Sequence, residues 1–404
     1  MREIDSIKRC ASGKIISTAF SPVKKKKPGV IVLGGHVQGL GICRIFGKLG
    51  IPSIVIDETK FNIARHSKYC SRFFNLQLAE ILPNFLSDIF CKEFSDWLIM
   101  PTNDYHVKLI SENKTNLSNH YEVGVESWDK VKLFYNKTES YPLVEKLKIP
   151  CPKTFVVSNQ KDLNELSKTV EYPVIIKPSV MMDFYRQFRK KVIQCNCPEE
   201  LINNYKTAVS RINARDILVQ EVIPGSSDNL YSVGVNMHNG NSINAIVVRR
   251  SRQHPIMYGN ATTYAETVDL PELLEYAKKL LNYVDYSGLA EVEFKYDKRD
   301  GKYKFLEVNP RTWKWHIITQ KANIPLLENY YNIQFGLPVV EEKTVQASWR
   351  HDLLDQIVKL GMRYKHLPTK PQKYEKISAV WSSADFWPGV FEYLYLPYNL
   401  INRR

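Results

Sequence analysis

The chain has 404 residues, 44% apolar and 24% charged, which excludes a disordered or fibrous chain and leaves room for roughly two to three domains with a large core. Basic residues exceed acidic ones by 14, with +6 in residues 1–28, +3 in residues 341–404 and +5 across the stretch between. This balance suits phosphorylated ligands, an anionic membrane surface or nucleic acid, and chooses none of them.

Seven cysteines stand at 10, 43, 70, 91, 151, 195 and 197. Their odd number and the lack of CxxC pairs argue against a disulfide framework or a zinc site, so Cys195 and Cys197 read as structural. No apolar run reaches the ~18–20 residues of a membrane span. The N-terminal stretch has no apolar h-region, so the expected location is the cytoplasm.

Residues 1–28 form a basic arm ending in Lys24-Lys25-Lys26-Lys27-Pro28, read as a solvated linker with a weak anionic-surface contact as its alternative. Val30-Ile31-Val32-Leu33 follows as a strand apolar on both faces, as in parallel sheets. The glycine-rich turn Gly34 to Gly41 opens a helix to Leu49, and Ser53-Ile54-Val55-Ile56 ends in Asp57. Trp97 to Pro101 is a further strand that carries Thr102, Asn103 and Asp104 at its C-terminal end, where ligands sit in open α/β sheets. From about 135 the pattern changes to a helix over 136–147 and short strands at Thr154–Val157, Val174–Lys177 and Ile217–Glu221. Longer, antiparallel-looking strands follow at 230–237, 243–252, 288–296 and 303–309, and residues 381–398 hold seven aromatics expected to pack back onto the body.

The strongest local signal is Gly288 to Tyr296, a turn Asp297 to Gly301, then Tyr303 to Arg311, read as a hairpin. Side chains alternate across a strand, so Glu291 and Glu293 share one face, as do Glu307 and Asn309. A register with 293 opposite 307 sets 291 opposite 309 and gathers three carboxylates and an amide. Val292, Phe294, Leu306 and Val308 are then expected on the other face. Like charges so placed need a cation, and an all-oxygen donor set favours Mg²⁺, with Mn²⁺ as an alternative. Arg311 adds a permanent cation just beyond. Lys177 at a strand end suits a phosphate, Gln220 to Gly225 offers backbone to an adenine edge, and Asp228 is spaced to accept a ribose hydroxyl.

Together these segments resemble the ATP-grasp superfamily from about residue 135 to 340. Within it they are most similar to the carboxylate–amine ligases, a group that includes D-aspartate ligase-like enzymes. The resemblance rests on Asn136-Lys137, Val174 to Pro178, Gln220 to Gly225, Arg252 to Pro255, Gly288 to Phe294, Leu306 to Arg311 and Trp313 to His316. It implies an ATP-grasp fold, α/β and α+β, preceded by a Rossmann-like domain. The implied division is a Rossmann-like unit at 29–134, a lid at 135–222, a central unit at 223–340 and an aromatic-rich extension at 341–404.

By the same resemblance, Lys137 and Lys177 hold the α- and β-phosphates of ATP. Glu221 and Ile223 line the adenine through their backbones, and Asp228 reaches the ribose. Glu293, Glu307 and Asn309 hold one or two Mg²⁺. Arg311 and Arg252 steady the transferred phosphoryl group. The usual glycine-rich phosphate loop is missing from Ser179–Lys191, so Lys190 or Lys191 is expected over the γ-phosphate.

The implied activity is ATP-dependent amide formation through an acyl phosphate, joining a small carboxylic acid (an amino acid or cell-envelope precursor) to an amine. Loops around 34–41, 102–106, 181–190 and 256–266 are expected to contact the substrates. A homo-oligomer is one option and no nucleic-acid partner is expected. A nucleotide-linked oxidoreductase is a competing reading, since Gly34, Gly35, Gly39 and Gly41 precede Asp57, but their spacing is not GxGxxG. A nucleic-acid binder is a second, weakened by the absence of a binding motif. A non-catalytic ATP-binding regulator is a third, opposed by the complete Glu293, Glu307, Asn309 and Arg311 set.

Overall fold

The computed structural model describes residues 27–77, 90–180, 184, 187, 188, 190–259, 261–367 and 374–398. The basic arm up to Lys26, part of the 179–191 stretch and the last six residues therefore lie outside the described residues.

Three sheets organise the described residues. The first is parallel, in the order β3 (Cys70–Asn75), β2 (Ser53–Asp57), β1 (Val30–Leu33), β4 (Leu98–Pro101). All four β1 residues are fully buried, as a parallel strand covered on both sides requires. Helix α1 (Val37–Lys48) follows β1, capped by the His36 side chain, which accepts from the Gln38 amide. At the turn Gly34 has φ +105°, and a Cβ there would strike Thr102 Oγ1, so only glycine fits. Helix α2 (Asp104–Glu112) starts at the end of β4, capped by Asn103. Helices α3 (Trp128–Tyr135) and α4 (Lys137–Lys146) then lead away from this unit.

The second sheet has the order β5 (Thr154–Val156), β8 (Ile217–Glu221), β6 (Val174–Pro178), β7 (Ile193–Cys195) and is antiparallel throughout. The third has seven strands, in the order β13 (Lys302–Asn309), β12 (Gly288–Asp297), β9 (Leu230–His238), β10 (Asn241–His254), β11 (Ala261–Thr267), β14 (Ser348–Arg350), β15 (Lys376–Ser378). The extension beyond 340 thus completes the central sheet. It also packs back as expected: buried Arg44 of α1 pairs with buried Asp385 at 2.8 Å, and His66 stacks on Phe391.

Two expectations change. Residues 261–267 are a strand paired with β10, so only the start of the expected 256–266 loop remains irregular. The β12–β13 register jumps between Glu293↔Glu307 and Phe294↔Phe305, a bulge that leaves Leu306 without a cross-strand partner. Phe305 therefore takes the buried position expected of Leu306, beside Val292, Phe294 and Val308.

Candidate active site

The site lies where one face of β9, β10, β12 and β13 meets α4, β6 and the C-terminal end of β4. Glu293 stands opposite Glu307, and Glu291 opposite Asn309. On the other side of β12, Glu291 faces Gly234 of β9, and a Cβ at Gly234 would collide with the indole of Trp313. This close approach brings the following segment over the carboxylates: Trp315 Nε1 donates to Glu291 at 2.8 Å. Asn309 Nδ2 donates to Glu291 at 3.1 Å and to Glu293 at 3.2 Å.

Cations close around this acidic row. Arg250 of β10 is buried and contacts Glu293 at 2.5 Å and Glu291 at 3.8 Å. Lys137, the first residue of α4, contacts Glu307 at 3.1 Å. Arg311 donates through Nε to Asp104 of α2 at 2.6 Å and through Nη2 to Asn309 at 3.1 Å, joining the first sheet to the third. Lys177 ends β6 under the row, donating at 2.8 Å to the Tyr141 hydroxyl, which in turn donates to the Leu306 carbonyl at 2.8 Å.

Desolvation raises the Glu293 carboxyl despite Arg250, with Glu291 and Glu307 adding repulsion. Burial also acts to raise Glu307, but Lys137, Lys191 and Lys177 outweigh it and hold that carboxyl low. Burial, then Lys137, pushes Lys177 well below the ordinary lysine value. Burial lowers Lys191 to about 8. Burial thus outweighs the pull of Glu307 on both lysines, and an added anion beside them would favour their charged forms. Burial also keeps His36 down at about 3 and His106 and His316 at about 4, so these three are neutral at physiological pH.

The remaining expected residues fall at defined places. The Glu221 carboxylate is held by Lys304 at 2.9 Å, and its amide donates to Lys153 O at 3.0 Å. The Ile223 carbonyl accepts from Lys295 Nζ at 2.7 Å, so β12 and β13 tether this linking segment through two lysines that sequence reasoning missed. Asp228 sits in a 3-10 turn whose carbonyl accepts from Arg249 Nε at 2.8 Å. Of the lid pair, Lys190 is exposed, whereas Lys191 feels both Glu307 and Glu293.

Arg252 requires a correction. It lies in a bidentate pair with buried Asp355, at 2.7 and 3.0 Å, and stacks over Tyr264, so its fork is turned away from the carboxylates. Arg250, two residues earlier, is the arginine that meets them. The run Arg249-Arg250-Ser251-Arg252 holds both, and the β10–β11 register shifts within it, between Arg249 and Arg252.

Residues 136–341, just over half of the chain, match the family model described as carbamoyl-phosphate synthase L chain, ATP binding domain. The chain belongs to this ATP-grasp family. It is 26% identical to the D-aspartate ligase of Enterococcus faecium over 320 residues, covering 70% of each chain. Its fold is similar to the biotin carboxylase domain of Hydrogenobacter thermophilus 2-oxoglutarate carboxylase (TM-score 0.63, 15% identity, 79% of this chain and 72% of that one). It is likewise similar to the L-amino acid ligase of Bacillus licheniformis (TM-score 0.59, 13% identity, 77% and 75%).

The chain therefore carries an ATP-binding domain of this family, and the divalent ion expected beside its nucleotide is Mg²⁺. The donor set fits that ion. Among the described residues no three His, Cys, Asp or Glu side chains converge as ligands; Glu293, Glu307 and the Asn309 amide are the oxygen donors brought together on this face. A small hard cation that keeps water and phosphate oxygens as its other ligands suits such a set. Asp57 does not present a free carboxylate to a dinucleotide, because it accepts from the Gly35 amide at 2.5 Å and the Thr59 amide at 2.8 Å.

Proposed function

We propose that this protein is a ligase that joins the carboxylate of a small acid to an amine, with an amino acid as one of the two, through an acyl phosphate and with release of ADP and phosphate. The observation that carries the proposal is the facing pair Glu293 and Glu307, with Lys137, Lys177 and Lys191 acting on Glu307 and Arg250 and Arg311 at the ends of the row. The similarity to D-aspartate ligase supports the choice of an amino acid.

A carboxylate is a poor electrophile because its oxygen leaves badly; phosphorylation makes that oxygen a good leaving group, and the amine then attacks the acyl carbon. Such chemistry asks a protein for positioning and for charge stabilisation in a site that excludes water. Lys137 and Lys177 would meet the α- and β-phosphates, and Lys191 the γ-phosphate, adding anionic charge that favours the charged lysines. Glu221 and Ile223 would line the adenine, their linking segment fixed by Lys295 and Lys304, with Asp228 at the ribose. Glu293, Glu307 and Asn309 would hold Mg²⁺, which when bound screens the phosphate charge and orients the phosphates. Arg311 and Arg250 would then face the transferring phosphoryl group and the developing oxyanion, with Arg311 fixed by Asp104.

In the same reading, residues 29–134 are the Rossmann-like unit that closes one side of the site, 135–222 the lid, 223–340 the centre and 341–404 its extension, in a cytoplasmic enzyme. A screen of amino acids and amines for stimulated phosphate release from ATP tests the proposal. ADP as product with a coupled acid–amine pair supports it; AMP as product, or no stimulated turnover with any pair, overturns it.

A further inference from the structure

Residues 381–398 present an outward surface without charge. The segment contains two acids, and both turn inward: Asp385 onto Arg44 at 2.8 Å, Glu392 onto His351 at 3.0 Å. Facing solvent instead are Phe386 (51% exposed), Trp387 (60%), Tyr393 (47%) and Leu394 (62%), on and beside the helix Trp387–Leu394. Large apolar side chains this open, with no charge among them, are costly in water and mark a docking surface. The neighbouring loop supplies a cationic rim. Phe61 lies 4.0 Å from Tyr398 and His66 stacks on Phe391 at 3.4 Å, which sets exposed Lys60, Arg65 and Lys68 beside the patch, against one exposed acid, Glu58.

We propose that this face docks the enzyme on an anionic bilayer surface. Tryptophan and tyrosine rings with one apolar side and one polar tip partition to the headgroup level. A shallow apolar insertion flanked by lysine and arginine binds acidic lipid more tightly than either element alone. A second copy is disfavoured by the same charges, because a two-fold contact through this patch would bring two cationic rims together.

The test uses the full chain in flotation with phosphatidylcholine vesicles, with and without phosphatidylglycerol. The expected result is binding to the mixed vesicles only, weakened by salt. Trp387→Ser with Leu394→Ser should lower it at least about tenfold through lost apolar insertion, as should Lys60→Glu with Arg65→Glu. ATP turnover of both variants is unchanged, which reports intact folding. No flotation overturns the proposal. So does binding that neither variant reduces, which would place the contact in the arm 1–28. Concentration-dependent self-association in sedimentation velocity that only the apolar variant removes, without flotation, would assign the patch to a second copy instead.

Discussion

Glu307 sits across from Glu293 within contact of Lys137, and the two carboxyls are driven in opposite directions, Glu293 up by burial and Glu307 down by three lysines. Replacing Glu307 with Gln keeps size and hydrogen bonding but removes the charge. ATP turnover should fall below detection while the far-UV spectrum and unfolding midpoint stay near wild type; retained turnover would defeat the metal role of this residue. Arg311→Lys should also cut turnover severely, because a point charge cannot reproduce the fork shared by Asp104 and Asn309. Lys191 predicts a pH dependence. Its pKa is about 8 in the free protein, and polyphosphate beside it favours the charged form, so nucleotide binding above that pH takes up a proton. Affinity should therefore fall as pH rises through 8, by up to about tenfold per pH unit for one proton. Calorimetry in buffers of different ionisation enthalpy reads the uptake, and Lys191→Met should remove its share.

The β12–β13 hairpin does two jobs with one bulge. Upstream of it, Glu291, Glu293, Glu307 and Asn309 face the site; beyond it, the partner of Phe294 becomes Phe305, which is fully buried against Phe294 and Tyr141. The unpaired residue, Leu306, turns its carbonyl to the Tyr141 hydroxyl that accepts from Lys177. The bulge thus ties the metal-side strand to the phosphate-side lysine. Phe305→Ala should cost about 3–5 kcal/mol, as for a large buried aromatic, measured by urea unfolding. It should also weaken nucleotide binding through Tyr141, whereas Leu306→Ala should spare both, because Leu306 is only half-buried and acts through its backbone.

Across the molecule, the first and third sheets share one apolar core, and polar contacts fix their alignment. Arg311–Asp104 and the Gln38 amide, which donates to Thr102 O at 2.8 Å and Thr312 O at 2.9 Å, hold the parallel sheet against the site. Asp385 anchors the end of the chain to the beginning, accepting from Arg44 Nε and Ser67 Oγ, both at 2.8 Å, and from the Lys68 amide at 2.9 Å. Asp385→Ala leaves Arg44 buried without a counter-charge, and a loss of about 3–5 kcal/mol is expected. Thermal unfolding followed with and without ATP checks it: the melting point should drop, yet nucleotide should still raise it, because the site lies elsewhere.

Residues in local sequence order reveal most of the elements, and the alternation of the hairpin by itself sets the facing of Glu293 and Glu307, because a strand's two faces follow directly from its period of two. The bulge that swaps Leu306 for Phe305, the strand at 261–267 and the choice of Arg250 over Arg252 did not follow. Each depends on which strand lies alongside and at what offset, and a run of three arginines in four residues carries no such information. Lys295 and Lys304 were hidden for the same reason: their partners lie more than seventy residues away in the chain. Composition and periodicity, being local, determined the strands, helices and candidate acids; the tertiary structure decided which cation meets which carboxylate, because that is settled by distance and burial across sheets that the chain reaches only after long excursions.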